Sequence, residues 1–447
     1  MITTPGEHSR SRAQTRRLVA ATVIGNTIEF YDFSVYGTLT AVVFGRLFFA
    51  TDDPFLTSFL AFGTFAVGFL SRPIGGMIFG HLGDKYGRKP VLVASLLTMG
   101  IATTLMGALP TLAQAGIVAP ILLVVLRFIQ GFGIGGEWGG ATTLMMESTP
   151  AKRRGFFGAA VQTGSGMGII LATGLVTLMF VVLTPEQIDA WGWRIPLLFS
   201  IVLVVIGLIV RSHIEESPDF EQREASATIA KTPLLEALAR HWKMVLVAIG
   251  MYIAVAAFGF TQGVFFINYL INGADFPQYL ATIANLVAAV TYLFATLIGG
   301  VLSDRFGRSV VYLVGGVLLI PASFIMFGSG MTGSVPIVMI AMAIVGLFSG
   351  IAYGAQASLF FELFPARVRY TGVSLGFQIA AVLGGGLSPL IASSLVEATG
   401  SVMSVAIYIS ALSLLLVVCT LVAPRVLEAE KKRSGELDRE RTNEGKA

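Results

Sequence analysis

An all-α integral membrane protein, with twelve transmembrane helices in two pseudo-symmetric six-helix halves, is the architecture this sequence predicts. Three observations carry that expectation. Hydrophobic residues make up 55% of the 447 positions and charged residues only 13%. Apolar runs of about 20 residues, each long enough to cross a bilayer, follow one another along the chain. A short polar unit between such runs also occurs twice, as Gly80-His81-Leu82-Gly83-Asp84-Lys85-Tyr86-Gly87-Arg88-Lys89 and as Gly300-Val301-Leu302-Ser303-Asp304-Arg305-Phe306-Gly307-Arg308. A loop repeated at matching places in two halves is the mark of an internally duplicated bundle.

The expected spans are Leu18–Phe44, Leu56–Ile78, Val91–Leu109, Ile117–Met146, Gly155–Leu183 and Trp193–Val210 in the first half. In the second half they are Trp242–Ile271, Tyr279–Leu302, Val310–Phe327, Val335–Leu363, Tyr370–Leu395 and Met403–Val422. This divides the chain into a basic segment 1–17, a six-helix half 18–212, a central loop 213–241, a second half 242–423 and a tail 424–447. With both termini cytoplasmic, 26 of the 30 Lys and Arg residues fall on inner segments. The positive-inside rule therefore places both termini in the cytoplasm of a cell (inner) membrane protein. The same asymmetry accounts for the basic balance of the chain, so no nucleic-acid partner is inferred. The N-terminal Arg cluster reads as a retained inner anchor with no cleavable signal. Cys419 is the single cysteine, which excludes an intrachain disulfide.

In the repeated loop, Gly87 and Gly307 allow backbone angles a side chain would block, and Gly80 and Gly300 let another helix approach. Asp84 and Asp304 stand four residues before Arg88 and Arg308. A plain positive-inside anchor with a tight turn is the alternative, and two matched copies weigh against it. The unit resembles the G-x-L-x-D-[RK]-x-G-R-[RK] loop of the major facilitator superfamily, with only Ser309 missing the last basic residue of the second copy. The resemblance implies the major facilitator fold and a loop that latches the cytoplasmic side shut and releases it during transport.

The first span carries Gly25-Asn26-Thr27-Ile28-Glu29-Phe30-Tyr31-Asp32-Phe33. Glu29 and Asp32 share one helix face, and each would cost several kcal/mol if left charged and unpaired in hydrocarbon. They are candidates for proton uptake and release, with a static ion pair as the alternative. Tyr31 is a candidate cavity donor or a packed amphipathic aromatic. The second span holds Arg72-Pro73-Ile74-Gly75-Gly76. Arg72 suits a substrate carboxylate, which a guanidinium grips with two parallel hydrogen bonds, or it pairs with Glu29 or Asp32.

The fourth span, Arg127 to Gly140, spaces Gly131, Gly135 and Gly139 every four residues for close helix packing. Arg127, Gln130 and Glu137 lie along a roughly common face, next to Trp138, and suggest a cavity wall. The first-span run, R-P-[IL]-G-G and R-x-x-Q-G-x-x-x-G-G-E-W-G-G resemble the metabolite:proton symporter family, within the sugar-porter-like branch, over the whole chain up to the tail. That resemblance implies a protonation pair at Asp32 and Arg127 and a substrate role for Arg72.

Glu147 with Arg154, and Glu362 with Arg369, repeat one spacing at the inner ends of the fourth and tenth spans. They resemble the E-x6-R pairs that complete an inner charge network in sugar-porter-like carriers, and such pairs bias which face is open. The fifth span has Gly164, Gly166 and Gly168 but no Gly-Pro signature of drug antiporters, which favours symport. In the second half, Gln262, Asn268, Tyr269, Tyr353 and Gln356 provide cavity contacts or interhelical hydrogen bonds. Gly384-Gly385-Gly386 marks a close-packed site in the eleventh span. The tail shows no sustained heptads of the kind that long-tailed osmolyte symporters carry.

These features predict a monomeric, proton-coupled symporter importing a small carboxylate-bearing metabolite, such as a mono- or dicarboxylic acid or shikimate, by alternating access. The alternative is a zwitterionic osmolyte such as proline or a betaine. The expected partners are the substrate, protons and the lipid bilayer, with the proton as coupling ion and no other cofactor. The sequence shows no metal-ligand cluster, catalytic constellation or large soluble output domain, which argues against an enzyme or a receptor.

Overall fold

The structure, a computed structural model, describes residues 12–86, 88–135, 145–146, 149–212, 241–365 and 369–444. Among the described residues, twelve long helical rods form the bundle. In the first half, α1 joins Arg12–Leu39, a π turn Thr40–Phe44 and Gly45–Phe48. Helix α2 joins Pro54–Leu70 and Arg72–Tyr86; α3 is Arg88–Gly107, α4 Val118–Ile134 and α5 Arg154–Val182. Helix α6 runs over 185–212 through a π turn, Ile188–Gly192. In the second half, α7 is Trp242–Phe260, a π turn Thr261–Phe266 and Ile267–Asn272. Gln278–Phe306 forms α8, Arg308–Gly330 α9 and Val335–Leu363 α10. Helix α11 is Arg369–Ala380, a π turn Ala381–Gly386 and Ser388–Thr399, and α12 is Met403–Glu444.

Local chemistry sets these ends. Asp53 accepts from the Phe55 amide at 2.9 Å and Pro54 opens α2, where a missing N–H costs nothing. Gly307, at φ +98°, separates α8 from α9 in a single residue, and Gly400, at φ +67°, ends α11; a Cβ would strain both. Pro73 cannot donate to the preceding turn, and α2 is interrupted just before it, at Ser71.

Among the described residues, ten helical segments are long and apolar enough to cross a membrane, and Val118–Ile134 is a shorter apolar one. The polar residues Asn26, Thr27, Glu29 and Asp32 make α1 less apolar than its neighbours, and the bundle hides Asn26, Glu29 and Asp32. Large apolar side chains such as Val182, Ile340 and Ile407 face outward, more than 60% exposed, as a lipid-facing coat requires.

Several boundaries differ from expectation: α1 already starts at Arg12, before Leu18, and α2 runs on to Tyr86, past Ile78. The sixth span, expected from Trp193, already begins at residue 185, because Thr184 and Gln187 form a capping box. The tail expected from 424 continues α12 to Glu444. Its start is tied back to the bundle by His241 Nδ1 and Glu430 Oε2, 2.7 Å apart.

Helix α5 packs along α1 in its own half and along α8 and α10 in the other, and α2 meets α11 across the same seam. The halves touch at three levels. Near one mouth, Asn268 Nδ2 donates to the Ala41 carbonyl at 3.0 Å. In the middle, Asn285 Nδ2 donates to Thr173 Oγ1 at 3.2 Å, and the Phe69 and Phe260 rings lie 4.9 Å apart. At the other mouth Asp304 meets α5.

Candidate functional site

The glycines of α2 and α4 bring two arginines into the interior. A Cβ on Gly76 would stand 2.9 Å from the Gly135 carbonyl, and one on Gly75 or Gly131 would overlap the facing backbone. A Cβ on Gly68 would collide with the Arg127 guanidinium, so that glycine makes room for the charge. Arg127 is fully buried and Arg72 is 6% exposed. Aromatic faces hold both: Arg72 Cζ lies 4.2 Å from the Phe33 centroid and 4.7 Å from Phe69. Arg127 Cζ lies 4.2 Å from Phe33, 4.0 Å from Tyr36 and 5.1 Å from Phe65. Ring quadrupoles favour such cations, more so away from water.

Asp32 is also fully buried, and its carboxylate does not bond Arg127. This corrects the direct pair expected between them. Asp32 Oδ1 accepts from Ser200 Oγ of α6 at 2.5 Å, while Oδ2 has no hydrogen-bond partner. Gln130, one turn beyond Arg127, takes Arg127 Nη1 on its Oε1 and gives Nε2 to the Asp32 main-chain carbonyl at 3.0 Å and to Thr103 at 2.7 Å. The amide is the nearer partner, and it links the two charged residues through the backbone of α1. Arg127 Nε and Nη2 remain without hydrogen-bond partners.

A second polar group lies where the halves meet. Glu29, Tyr252 and Tyr353 are within electrostatic reach of Arg72. The Tyr353 hydroxyl stands beside Ser165, Gln162 and Tyr292 without closing a bond of good geometry. Its ring is 5.5 Å from that of Tyr292. Gln162 and Gln356 are fully buried, and both side-chain atoms of each lack a partner, as does Arg72 Nε. An unpartnered buried polar atom costs about 1–3 kcal/mol. Several such atoms gather at one seam, contributed by α2, α5 and α10.

Sequence reasoning did not single out Gln162, Ser165 or Ser200. Polar residues one helical turn apart on α5, Gln162 and Ser165, were the available signal. Ser200 had none, since a lone serine in a span more often bonds its own backbone.

Other candidates are engaged elsewhere. Tyr31 donates to the Pro196 carbonyl at 2.5 Å and holds α1 on α6. Gln262 donates to Asn285 at 3.4 Å, and Asn268 closes the mouth at Ala41. Tyr269 is half-buried and stacks on Phe266 at 6.2 Å. Gly87, Glu137, Trp138 and Glu147 lie outside the described residues, as do the surroundings of Gly80 and the side chains of Asp84 and Arg88.

At the opposite mouth the second copy of the repeated loop reaches the first half. Asp304 accepts from the Gly155 and Phe156 amides, at 2.7 and 2.8 Å, and so caps the N-terminus of α5. A carboxylate there meets free N–H groups and the positive end of the helix dipole. The seam needs its glycines: a Cβ on Gly155 would lie 2.6 Å from the Gly300 carbonyl, and one on Gly300 would lie 2.7 Å from that of Gly155. Arg308 bonds Glu362. Arg154 and Arg369, one from each half, both face the Phe361 ring, at 4.9 and 4.0 Å. They also donate to the preceding helix ends, Arg154 to Met146 at 3.1 Å and Arg369 to Phe364 at 3.2 Å.

Comparison with known proteins agrees with the fold. A sequence profile described as "Major Facilitator Superfamily" matches residues 23–377 and 278–445. The shikimate transporter of Escherichia coli K12 is 41% identical over 414 residues, covering 92% of this chain and 94% of that protein. The inner membrane metabolite transport protein YhjE of the same organism is 37% identical, covering 89% and 91%. The proline/betaine transporter of Salmonella typhimurium is 34% identical, covering 90% and 81%. Among solved structures, a partially occluded inward-open form of the xylose transporter XylE from E. coli matches with a TM-score of 0.71 at 16% identity, covering 92% and 98%.

Proposed function

The chain belongs to the major facilitator superfamily, a family of membrane transporters and not of enzymes, and from that premise we propose that it is a proton-coupled symporter of a small carboxylate-bearing metabolite. It works as a monomer in the inner membrane with both termini in the cytoplasm. The observation that carries the proposal is the pair of buried arginines, Arg72 and Arg127, with donor atoms left unpartnered in the interior. Buried cations are retained where an anion comes to meet them.

Asp32 is the proton site. Its carboxylate has one oxygen on Ser200 and one unpartnered, so a proton can be accepted without breaking an ion pair. Arg72 grips the substrate carboxylate, and Gln162, Tyr353 and Gln356 satisfy the remaining polar groups of the ligand. Protonation removes the negative charge of Asp32, and the neutral, loaded form rocks about the central seam. A proton carried with a monoanion is electroneutral.

A second reading has its own support. Glu29 lies within reach of Arg72, so the seam offers one charge of each sign. That suits a zwitterion, and proline/betaine transporters are among the relatives. Uptake into proteoliposomes under an imposed inward proton gradient separates the two readings. Shikimate, 2-oxoglutarate and citrate are tested beside proline and betaine. Gradient-dependent accumulation of an acid supports the main reading; accumulation of the zwitterions alone replaces it.

The Asp304 contact with α5 acts as an inner latch that opens in each cycle. Losing a charged cap of this kind costs about 1–2 kcal/mol. In a Cys419→Ser background, an Ala159→Cys reporter at the seam is expected to react about 5- to 30-fold faster with an impermeant thiol reagent from the cytoplasmic side once Asp304 is changed to Ala. Equal labelling rates would mean that the contact does not hold the mouth closed.

A further inference from the structure

Among the described residues, Phe33 is the aromatic side chain that faces both buried guanidinium groups, each 4.2 Å from its centroid. Three other rings fix its orientation: Phe69 at 4.7 Å, Phe65 at 5.3 Å and, from the second half, Phe260 at 5.6 Å. Its chain neighbour is Asp32, whose carbonyl receives Gln130, which in turn holds Arg127. One residue of α1 therefore sits between the arginine assigned to substrate and the arginine beside the proton site.

We propose that Phe33 is the positioning residue that couples substrate binding at Arg72 to protonation at Asp32, a proposal that rests on the reading above. Two cations on one ring compete for the same π electrons and repel each other through a dry interior. A carboxylate arriving at Arg72 neutralises one of them. The ring then holds Arg127 more firmly, and the positive field that favours an ionised Asp32 weakens. By reciprocity, protonation at Asp32 eases carboxylate binding at Arg72 by the same factor. The sign is the one symport needs, because the proton and the substrate then favour each other's loading. Without the ring, the two guanidinium groups no longer share a face, and the two sites lose their common element.

The test is the pH dependence of KM for the transported acid, measured in proteoliposomes with the full chain. In the unsubstituted protein KM is expected to rise as the pH is raised. Phe33→Leu is expected to shrink that change by about tenfold, the equivalent of one desolvated cation–π contact. Phe33→Tyr, which keeps the ring, retains the dependence. Phe260→Leu removes a packing partner that touches neither guanidinium and also retains it. Where Phe33→Leu yields too little protein, Phe33→Met serves in its place. Unchanged pH dependence in Phe33→Leu or Phe33→Met overturns the proposal, as does equal flattening in Phe260→Leu, which would make the effect one of packing. Failure of the underlying reading shows separately, as a KM in the unsubstituted protein that ignores pH.

Discussion

Proteoliposomes carrying Asp32→Asn are expected to equilibrate the substrate acid but not to concentrate it when an inward proton gradient is imposed. For one proton per monoanion, a gradient of about two pH units supports up to about a hundredfold accumulation, since each unit is worth about 1.4 kcal/mol. Asparagine keeps the shape of the side chain and an acceptor for Ser200, and removes only the titrating group. Accumulation should fall to the equilibrium value at every pH, while exchange of internal for external substrate continues. The Asp32→Asn carrier should also lose its acceleration at acid pH, because the step that needed a proton is now permanently satisfied. Retained uphill uptake would move the proton site to another group, with Glu29 the first to examine, because it too is buried in α1.

Arg72→Lys is expected to raise KM for the acid on the order of a hundredfold with little change in the maximal rate. A lysine keeps the charge and loses the planar fork, so the effect isolates bidentate recognition. Hydrogen bonds to charged groups are worth about 1.5–3 kcal/mol, which sets the size of the shift. Arg72→Ala is the poorer probe, since it removes the charge and the fork together and empties the space beside the Phe33 and Phe69 rings. An unchanged KM in Arg72→Lys, together with a lower melting temperature, would falsify the substrate role and leave Arg72 as a partner for Glu29.

Much of the architecture was legible because membrane spans write their length in apolar residues. The duplicated loop announced the two halves, and the resemblance carried by the α1, α2 and α4 motifs pointed to Asp32, Arg72 and Arg127, all of which the structure buries in the interior. How these residues meet was not legible. A one-dimensional pattern says that Asp32 and Arg127 need partners but cannot say that Gln130 stands between them, since that depends on the rotation of α4 against α1. Gln162 and Gln356 escaped for a related reason. A buried amide reads in sequence as an interhelical hydrogen bond, and only the fold shows that both of its atoms lack one. The helical course of residues 424–444 was hidden too, because mixed Glu, Lys and Arg suit a solvated tail and a helix with i,i+4 pairs equally well.

The π turns of α1 and α7 have a consequence for how this chain tolerates insertion and deletion. Each such turn holds one residue more than regular winding would, and one residue is about 100° of helix rotation. The turn Thr40–Phe44 faces the turn Thr261–Phe266 across the pseudo-twofold relation of the halves, and just beyond the second one Asn268 reaches the Ala41 carbonyl. Deleting a single apolar residue from the regular winding before the first of these turns, such as Val35, leaves hydrophobicity and span length almost untouched. It would nonetheless turn the end of α1 by about a quarter revolution, away from Asn268 and from the Arg46 contact with Asp189. Where substitutions of one apolar residue for another pass quietly, the reading frame of the helix itself is held to a single residue.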